Sequence, residues 1–436
     1  GDIPATLVRI PGTPASAAYA SDAYALTRRG KHIEALGVSL IFSVVGGLFG
    51  ALVLACAAPQ LARLATQFTS YEYFWLYVLG LTCAVIVSAD SRLRGALALW
   101  IGLLLSTVGL GADFSVPRLT FGFDDLISGV NFIPAMIGLF GMSEVLRNAL
   151  ALGVDAARNV ESEPPASRLA TIASTSAPLA WRRKFHLLRS SVTGAVVGML
   201  PGAGADIAAW ISYAVSKRLS RDPQQYGKGS LEGIGDATGA NNAALGGAWI
   251  PALVFGIPGD SVTAIALGVL LMKNITPGPG VFDAVENPQQ AALVASIYAT
   301  FVIANLMLLP LGLIAIRAGA VLITVPRHVL LPLIAVFCIV GSFAMSGSYF
   351  DVWVMLAMGI LGLVLEKRRV PLGPVVLGLI MGAQVEHRFL QCLTRSGSAT
   401  PFFASPISVV LALTCLALWF LPAIVAQRRR GGGAPE

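Results

Sequence analysis

Charge is scarce in this chain. Asp, Glu, Lys and Arg make up 12% of its 436 residues, against about 25% in soluble globular domains. Hydrophobic residues make up 56%, and the mean hydropathy is +0.75. That balance excludes an ordinary soluble fold. Histidine is rarer still, and the four residues lie apart, near loops or the ends of apolar runs. This distribution speaks against an intramembrane enzyme, which would need a nucleophile–base set or a metal cluster within those runs. The five cysteines (Cys56, Cys83, Cys338, Cys392, Cys415) have neither metal nor disulfide spacing and read as packing residues. Short alternating segments are missing, which excludes an outer-membrane barrel. No cleavable signal pattern precedes the first apolar run. The sequence opens on Gly1 rather than methionine, so the native protein is expected to begin upstream.

What is there is a series of apolar runs approaching the ~20 residues that a spanning helix needs. They are predicted at 36–58, 71–90, 93–111, 130–151, 288–316, 329–347, 350–365, 371–385 and 404–426. The chain therefore reads as an all-α polytopic membrane protein. The net charge of +7 does not signal nucleic acid. The basic residues sit in short clusters between apolar runs, as in the loops of an inner-membrane protein. The most hydrophilic stretch, 153–189, carries Arg182, Arg183, Lys184 and Arg189 and reads as a cytoplasmic loop. His186 within it reads as a solvated loop residue. That loop divides the chain into a first repeat over 1–152 and a second repeat with C-terminal spans over 190–436. Arg428–Arg430 mark a cytoplasmic end. Gly46 and Gly50 have small-xxx-small spacing, suited to close helix packing. Asp351 and Glu386 lie near span ends, where a functional and an interfacial role stay equally open.

The stretch from Gly198 to Gly280 departs from this regularity. An apolar run over 190–200 ends at Leu200-Pro201-Gly202-Ala203-Gly204. A short helix is predicted from Ala205 to Lys217–Arg218, then a polar loop over 219–240. Asn241–Asn242 then opens an apolar run that breaks at Ile257-Pro258-Gly259. Asp260 and Ser261 can cap a further short helix ending at Lys273. Interrupted hydrophobic segments are the best sequence pointer to a transport site, because irregular backbone survives in a membrane only where protein or a water-filled cavity satisfies it.

The interruption occurs twice. Residues 3–12, IPATLVRIPG, align without gaps on residues 250–259, IPALVFGIPG, which is the signature of an internal repeat. After the first copy, Thr13 can cap a half-helix that starts at Pro14 and stops at Gly30, behind Arg28–Arg29. Helix starts of this kind offer free N–H groups and a partial positive charge, and glycine lets a ligand approach them closely. The expected substrate-binding set is Pro11, Gly12, Thr13, Ser16, Pro201, Gly202, Gly204, Asn241, Asn242, Pro258, Gly259 and Ser261, with Thr263 adding a hydroxyl. An anion, above all a carboxylate, suits such a set. Asp206 and Asp260 read either as helix caps or as carriers of a coupling ion, Na⁺ or a proton. Asn241 and Asn242 read as ligands or as interhelical glue. Arg9 either pairs with an anionic substrate or snorkels to the interface. No cofactor is expected beyond a coupling Na⁺.

At these residues the sequence resembles the large membrane subunit of the tripartite tricarboxylate transporters. The stretches that carry the likeness are GMLPGAGADIAAWISYAVSKRLS, YGKGSLEG, ANNAALGGAWIPALVFGIPGDSVTAIALG and PGPG, with IPATLVRIPGTPASAA near the start and DVWVMLAMGILG and PLGPVVLGLIMG toward the end. The likeness runs over essentially the whole chain. It implies a secondary transporter of the bacterial inner membrane, driven by Na⁺ or H⁺. It also implies a small four-span membrane subunit and a periplasmic solute-binding protein as partners, and carboxylates such as citrate as substrates. Two positions depart from the family pattern: Ala237-Thr238 stand where a Pro-Glu pair is usual, and Asp22-Ala23-Tyr24-Ala25 where Asp-Gly-Tyr-Pro is usual. An intramembrane enzyme, a channel and a purely structural membrane subunit remain as rival readings.

Overall fold

The computed structural model describes residues 2–8, 13–88, 91–111, 116–151, 178, 181–201, 204–283, 285–322, 327–398 and 400–431. Among the described residues the regular structure is helical apart from one small hairpin. In chain order the helices are α1 (Asp2–Val8), α2 (Pro14–Ala17), α3 (Ala20–Thr27), α4 (His32–Ala65), α5 (Ser70–Ser88) and α6 (Arg92–Ser106). Strands β1 (Gly109–Leu110) and β2 (Pro117–Arg118) pair antiparallel, Gly109 opposite Arg118. Next come α7 (Phe132–Met136), a π-helical segment over Ile137–Met142, α8 (Ser143–Ala151), α9 (Lys184–Gly198), α10 (Gly204–Leu219), α11 (Leu231–Phe255) and α12 (Ser261–Met272). The last helices are α13 (Pro288–Leu322), α14 (Arg327–Ser346), α15 (Tyr349–Lys367), α16 (Leu372–Ser396) and α17 (Pro406–Gly431). Among the described residues, three helical segments are long and apolar enough to cross a bilayer: His32–Ala65, Pro288–Ala318 and Tyr349–Lys367. The all-α polytopic membrane fold expected from composition is the fold observed.

The chain forms two compact units. One comprises Gly1–Arg63, Leu150–Thr263 and Asn274–Leu333, and the other Leu64–Ala149, Ala264–Lys273 and Ile334–Glu436.

The first unit is built around α11. Nineteen of its 25 residues are buried, most of them glycine or alanine. A Cβ on Gly46 would strike the Gly239 backbone, and one on Gly50 would lie 2.6 Å from the Ala243 carbonyl. On a second face of α11, Gly194 and Gly198 of α9 rest on Ala240 and Ala244 in the same way. Small residues at four-residue spacing on α4 and α9 thus let two backbones close on a third, which is how helices associate where lipid removes the hydrophobic drive. The packing expected of Gly46 and Gly50 is what they do. The helix ends at Gly256, whose φ of +70° accepts the left-handed cap, with the Ile257 N–H returning to the Pro251 carbonyl at 3.2 Å.

Three boundaries differ from expectation. The polar loop predicted over 219–240 stops at Ser230, which caps α11 through a 3.0 Å bond from the Gly233 N–H. Asn241 and Asn242 therefore lie in mid-helix. Gly233, Gly235 and Gly239 lower the hydropathy there, but their missing side chains are what admit Tyr213, Tyr226 and Phe42 against the helix. The half-helix predicted from Pro14 is two pieces, α2 and α3, before the left-handed Gly30 (φ +74°) closes it. His186 lies in α9, not in a loop. Residues 153–177 of the predicted cytoplasmic loop lie outside the described residues.

Asp22 holds this unit to its 226–230 turn. It is fully buried and accepts from the Tyr213 hydroxyl (2.6 Å) and from the Gly229 and Ser230 N–H groups (2.8 and 2.9 Å). Asp22→Ala strands the buried Ser230 N–H and two half-buried donors and is expected to cost about 3 kcal/mol. Thermal unfolding of the purified protein checks this, and an unchanged melting temperature would remove Asp22 from the scaffold.

In the second unit, buried Glu72 at the start of α5 accepts from the Thr69 N–H (2.7 Å) and the Ser408 hydroxyl (3.1 Å), tying α5 to α17. Glu386 pairs with both terminal nitrogens of Arg118, at 2.7 and 2.9 Å. Asp351 accepts from Asn131 at 3.0 Å. Each of these two acids therefore has a partner beside it.

Candidate functional site

The helix starts that follow the Pro-Gly pairs in sequence come together in the first unit. Thr13 precedes α2, its hydroxyl accepting from the Ser16 N–H and its own N–H donating to the Ser16 hydroxyl, both at 3.2 Å. Asp260 precedes α12 in the same reciprocal arrangement with Thr263. Its Oδ1 accepts from the Thr263 N–H at 2.8 Å, and its N–H donates to the Thr263 hydroxyl at 2.9 Å. Thr13 and Asp260 are the residues that follow the two aligned repeat copies, so each copy ends in a capping box.

Asp206 connects the starts. It stands in the first turn of α10, but its Oδ1 accepts from the Ala15 N–H of α2 at 3.1 Å. Trp210, one turn on, donates its indole N–H to the Pro14 carbonyl at 3.2 Å. Gly204 opens α10 with φ +59°, and a Cβ there would stand 2.7 Å from that of Asp260. Pro258 and Gly259 are buried, the latter against Ala248 and the Gly198 carbonyl. Pro201 follows the end of α9, and Ser261 opens α12. Pro11, Gly12 and Gly202, and with them Arg9, lie outside the described residues. The residues placed together are thus Thr13, Ser16, Gly204, Asp206 and Asp260, with Pro258 and Gly259 behind them. Asp260 caps its own helix, while Asp206 bonds across to another.

The two asparagines stand apart from this group in sequence and differ from each other. Asn242 bonds to the Ser43 carbonyl at 2.7 Å and to Asn305 at 2.8 Å, so one of its roles is to join helices. Asn241 is partly buried and forms no side-chain hydrogen bond to a described residue. The sequence reading missed Asn305 and Trp210. Asn305 carried a signal, an amide in the middle of a long apolar run; Trp210 carried none.

A second polar cluster spans α9 and α11. His186 Nδ1 lies 2.8 Å from Glu232 and 3.9 Å from Asp236, and the ligating atoms of all three fall within 4.8 Å of one another. Arg189 bonds Asp236, and Arg183 lies 3.4 Å from Glu232. Two guanidinium groups already balance the two carboxylates, so the cluster reads as an ion-pair network rather than a metal centre.

The profile of the tripartite tricarboxylate transporter TctA family matches residues 1–377. An uncharacterized 52.8 kDa protein in the TAR-I ttuC' 3' region of Agrobacterium vitis is 34% identical over 98% of this chain and 84% of its own length. A second uncharacterized protein, in the TAR-II ttuC' 3' region of the same organism, is 36% identical over 54% of this chain and 97% of its own. No solved structure matches the chain at a significant level.

Proposed function

This chain belongs to the tripartite tricarboxylate transporter TctA family and is a membrane transporter component, and from that premise we propose that it takes up a carboxylate at the joined helix starts of its first unit. The observation that carries the reading is the meeting of α2, α10 and α12 through Asp206 and Gly204. Helices of 16 and 12 residues begin there, and their first-turn N–H groups favour an anion. The hydroxyls of Thr13, Ser16 and Thr263 and the amide of Asn241 are of the kind that orient one. The proposed set extends to Pro11, Gly12, Pro201, Gly202, Asn242, Pro258, Gly259 and Ser261.

The rest of the reading follows the family. Uptake is coupled to Na⁺ or H⁺, with Asp206 and Asp260 as the ion-bearing groups. The chain works in the bacterial inner membrane with a small four-span subunit and a periplasmic solute-binding protein, and it catalyses no covalent step.

Asn241→Ala is expected to lower the initial rate of carboxylate uptake about 10- to 100-fold, the loss of one or two hydrogen bonds to a charged group, while membrane insertion is unchanged. Uptake at the normal rate would take Asn241 out of the site.

A further inference from the structure

After β2, in the second unit, the backbone turns through two bulky residues in the left-handed region, Leu119 at φ +53° and Phe121 at φ +50°. Such residues rarely adopt that conformation. Phe121 is 79% exposed, and Val116, Leu119, Phe123 and Ile127 are exposed around it. The segment is nevertheless held in place. Glu386 clamps Arg118 through both terminal nitrogens, and the Phe123 ring lies 6.1 Å from that of Phe350 on α15. An anchored, exposed apolar patch is an interaction site.

Beside it a cavity of about 430 Å³ is lined by Asp124, Asp125, Asp351, Ser348 and Phe350. Asp351 is 6% exposed, and its carboxylate receives one hydrogen bond from a described residue, the neutral Asn131 amide at 3.0 Å. No described Lys, Arg or His forms an ion pair with any of the three acids. A buried carboxylate without a counter-charge is costly, and a cation entering this cavity would supply one.

The charge at the far end gives the side of the membrane. The helical stretch over 132–151 and α15 run antiparallel, since Asn131 meets Asp351 at one end and Arg147 lies 3.5 Å from Glu366 at the other. That other end carries Arg147, Lys367, Arg368 and Arg369. α6 runs toward the hairpin and begins, at its far end, with Arg92 and Arg94. Basic residues gather at the cytoplasmic ends of spanning helices, so the hairpin and its cavity belong to the outer side. Lipid suits this patch poorly, because the exposed Asp124 and Asp125 flank its apolar tip. A water-soluble protein with a basic side chain beside an apolar hollow matches both features. A planar guanidinium suits the cavity best, where it meets carboxylates and an aromatic ring.

We propose that this face is the docking surface for a water-soluble protein on the outer side, which receives Phe121 in an apolar hollow and sends an Arg or Lys side chain into the cavity toward Asp351. The inference rests on the transport reading above, under which that protein is the solute-binding protein.

The test places the full-length protein with its small membrane partner in nanodiscs and measures binding of carboxylate-loaded solute-binding proteins. For a protein that binds wild type, Kd is expected to rise about tenfold or more in Phe121→Ser and in Asp351→Asn. The first change is on the surface, and the second still allows the bond from Asn131. Wild-type affinity is expected to fall as ionic strength rises. Leu93→Ser, at an equally exposed residue of the opposite end, is the control and should bind as wild type does. Binding that neither variant weakens, or no binding to wild type by any of the proteins, overturns the proposal. The second readout puts a benzophenone amino acid in place of Phe121. A cross-link to the solute-binding protein is expected; cross-links to lipid alone, or to the membrane partner alone, overturn the proposal even if Asp351→Asn fails to fold. A protein that docks through these residues but delivers no carboxylate would instead count against the transport reading and leave the docking surface standing.

Discussion

Gly246→Leu is expected to leave no folded protein in the membrane. A Cβ at this position would collide with the Gly50 backbone of α4, and backbone cannot swing aside as a side-chain end can. The face of α11 toward α9 is equally tight: a Cβ on Gly247 would stand 2.2 Å from the Ala195 carbonyl. The helix therefore cannot shift away from α4 without striking α9. Overpacking in an ordinary core costs about 1–3 kcal/mol, and a clash of backbone against backbone on a helix held from two sides should exceed that. The matched control is Gly278→Ala, at a glycine with open space around it and an extended φ of 166°. Fluorescence-detected gel filtration of detergent extracts checks the pair. Gly278→Ala should run as a single peak and Gly246→Leu as aggregate or not at all. A monodisperse Gly246→Leu protein would show that the packing around α11 is looser than described.

Asp206→Asn is expected to keep the fold and lose uptake. An amide oxygen can still accept from the Ala15 N–H, as the carboxylate does at 3.1 Å. The change therefore retains the bond between α10 and α2 but removes its charge, worth about 1 kcal/mol or less of stability against a neutral bond. If Asp206 is only a cap, the variant transports normally. If it bears the coupling ion, uptake falls about 100-fold or more while the melting temperature barely moves. The account predicts the second result. Asp206→Ala, which loses bond and charge together, should lower both and serves as the comparison.

The sequence revealed most where its residues act locally. Helices between apolar boundaries, the start at Pro14, the box at Asp260 and the stop at Gly30 follow from caps and breakers within a few positions. It misled where tertiary packing reverses a local preference. Leu231–Gly239 carries Glu232, Asp236 and three glycines and so reads as a loop. In the fold those glycines are contact surfaces, and Asp236 is matched by Arg189 from another helix. His186 was read as solvated for the same reason, since its partners Glu232 and Asp236 lie more than 40 positions along the chain. Of the site, the repeated Pro-Gly pairs were legible as a pattern. That Asp206 reaches across to Ala15 rather than capping its own helix was not, because nothing within α10 encodes the neighbour that its carboxylate will meet.

The central claim is coupled carriage of a carboxylate. The most direct measurement reconstitutes the full-length protein with its small membrane partner in proteoliposomes. A panel of labelled carboxylates is supplied on their binding proteins, with and without an inward gradient of Na⁺ or of protons. The account predicts accumulation of at least one carboxylate above its external concentration, only when the gradient is present, and counterflow of label when it is not. Assembled proteoliposomes that accumulate none of the carboxylates, or that merely equilibrate one without regard to the gradient, would contradict it.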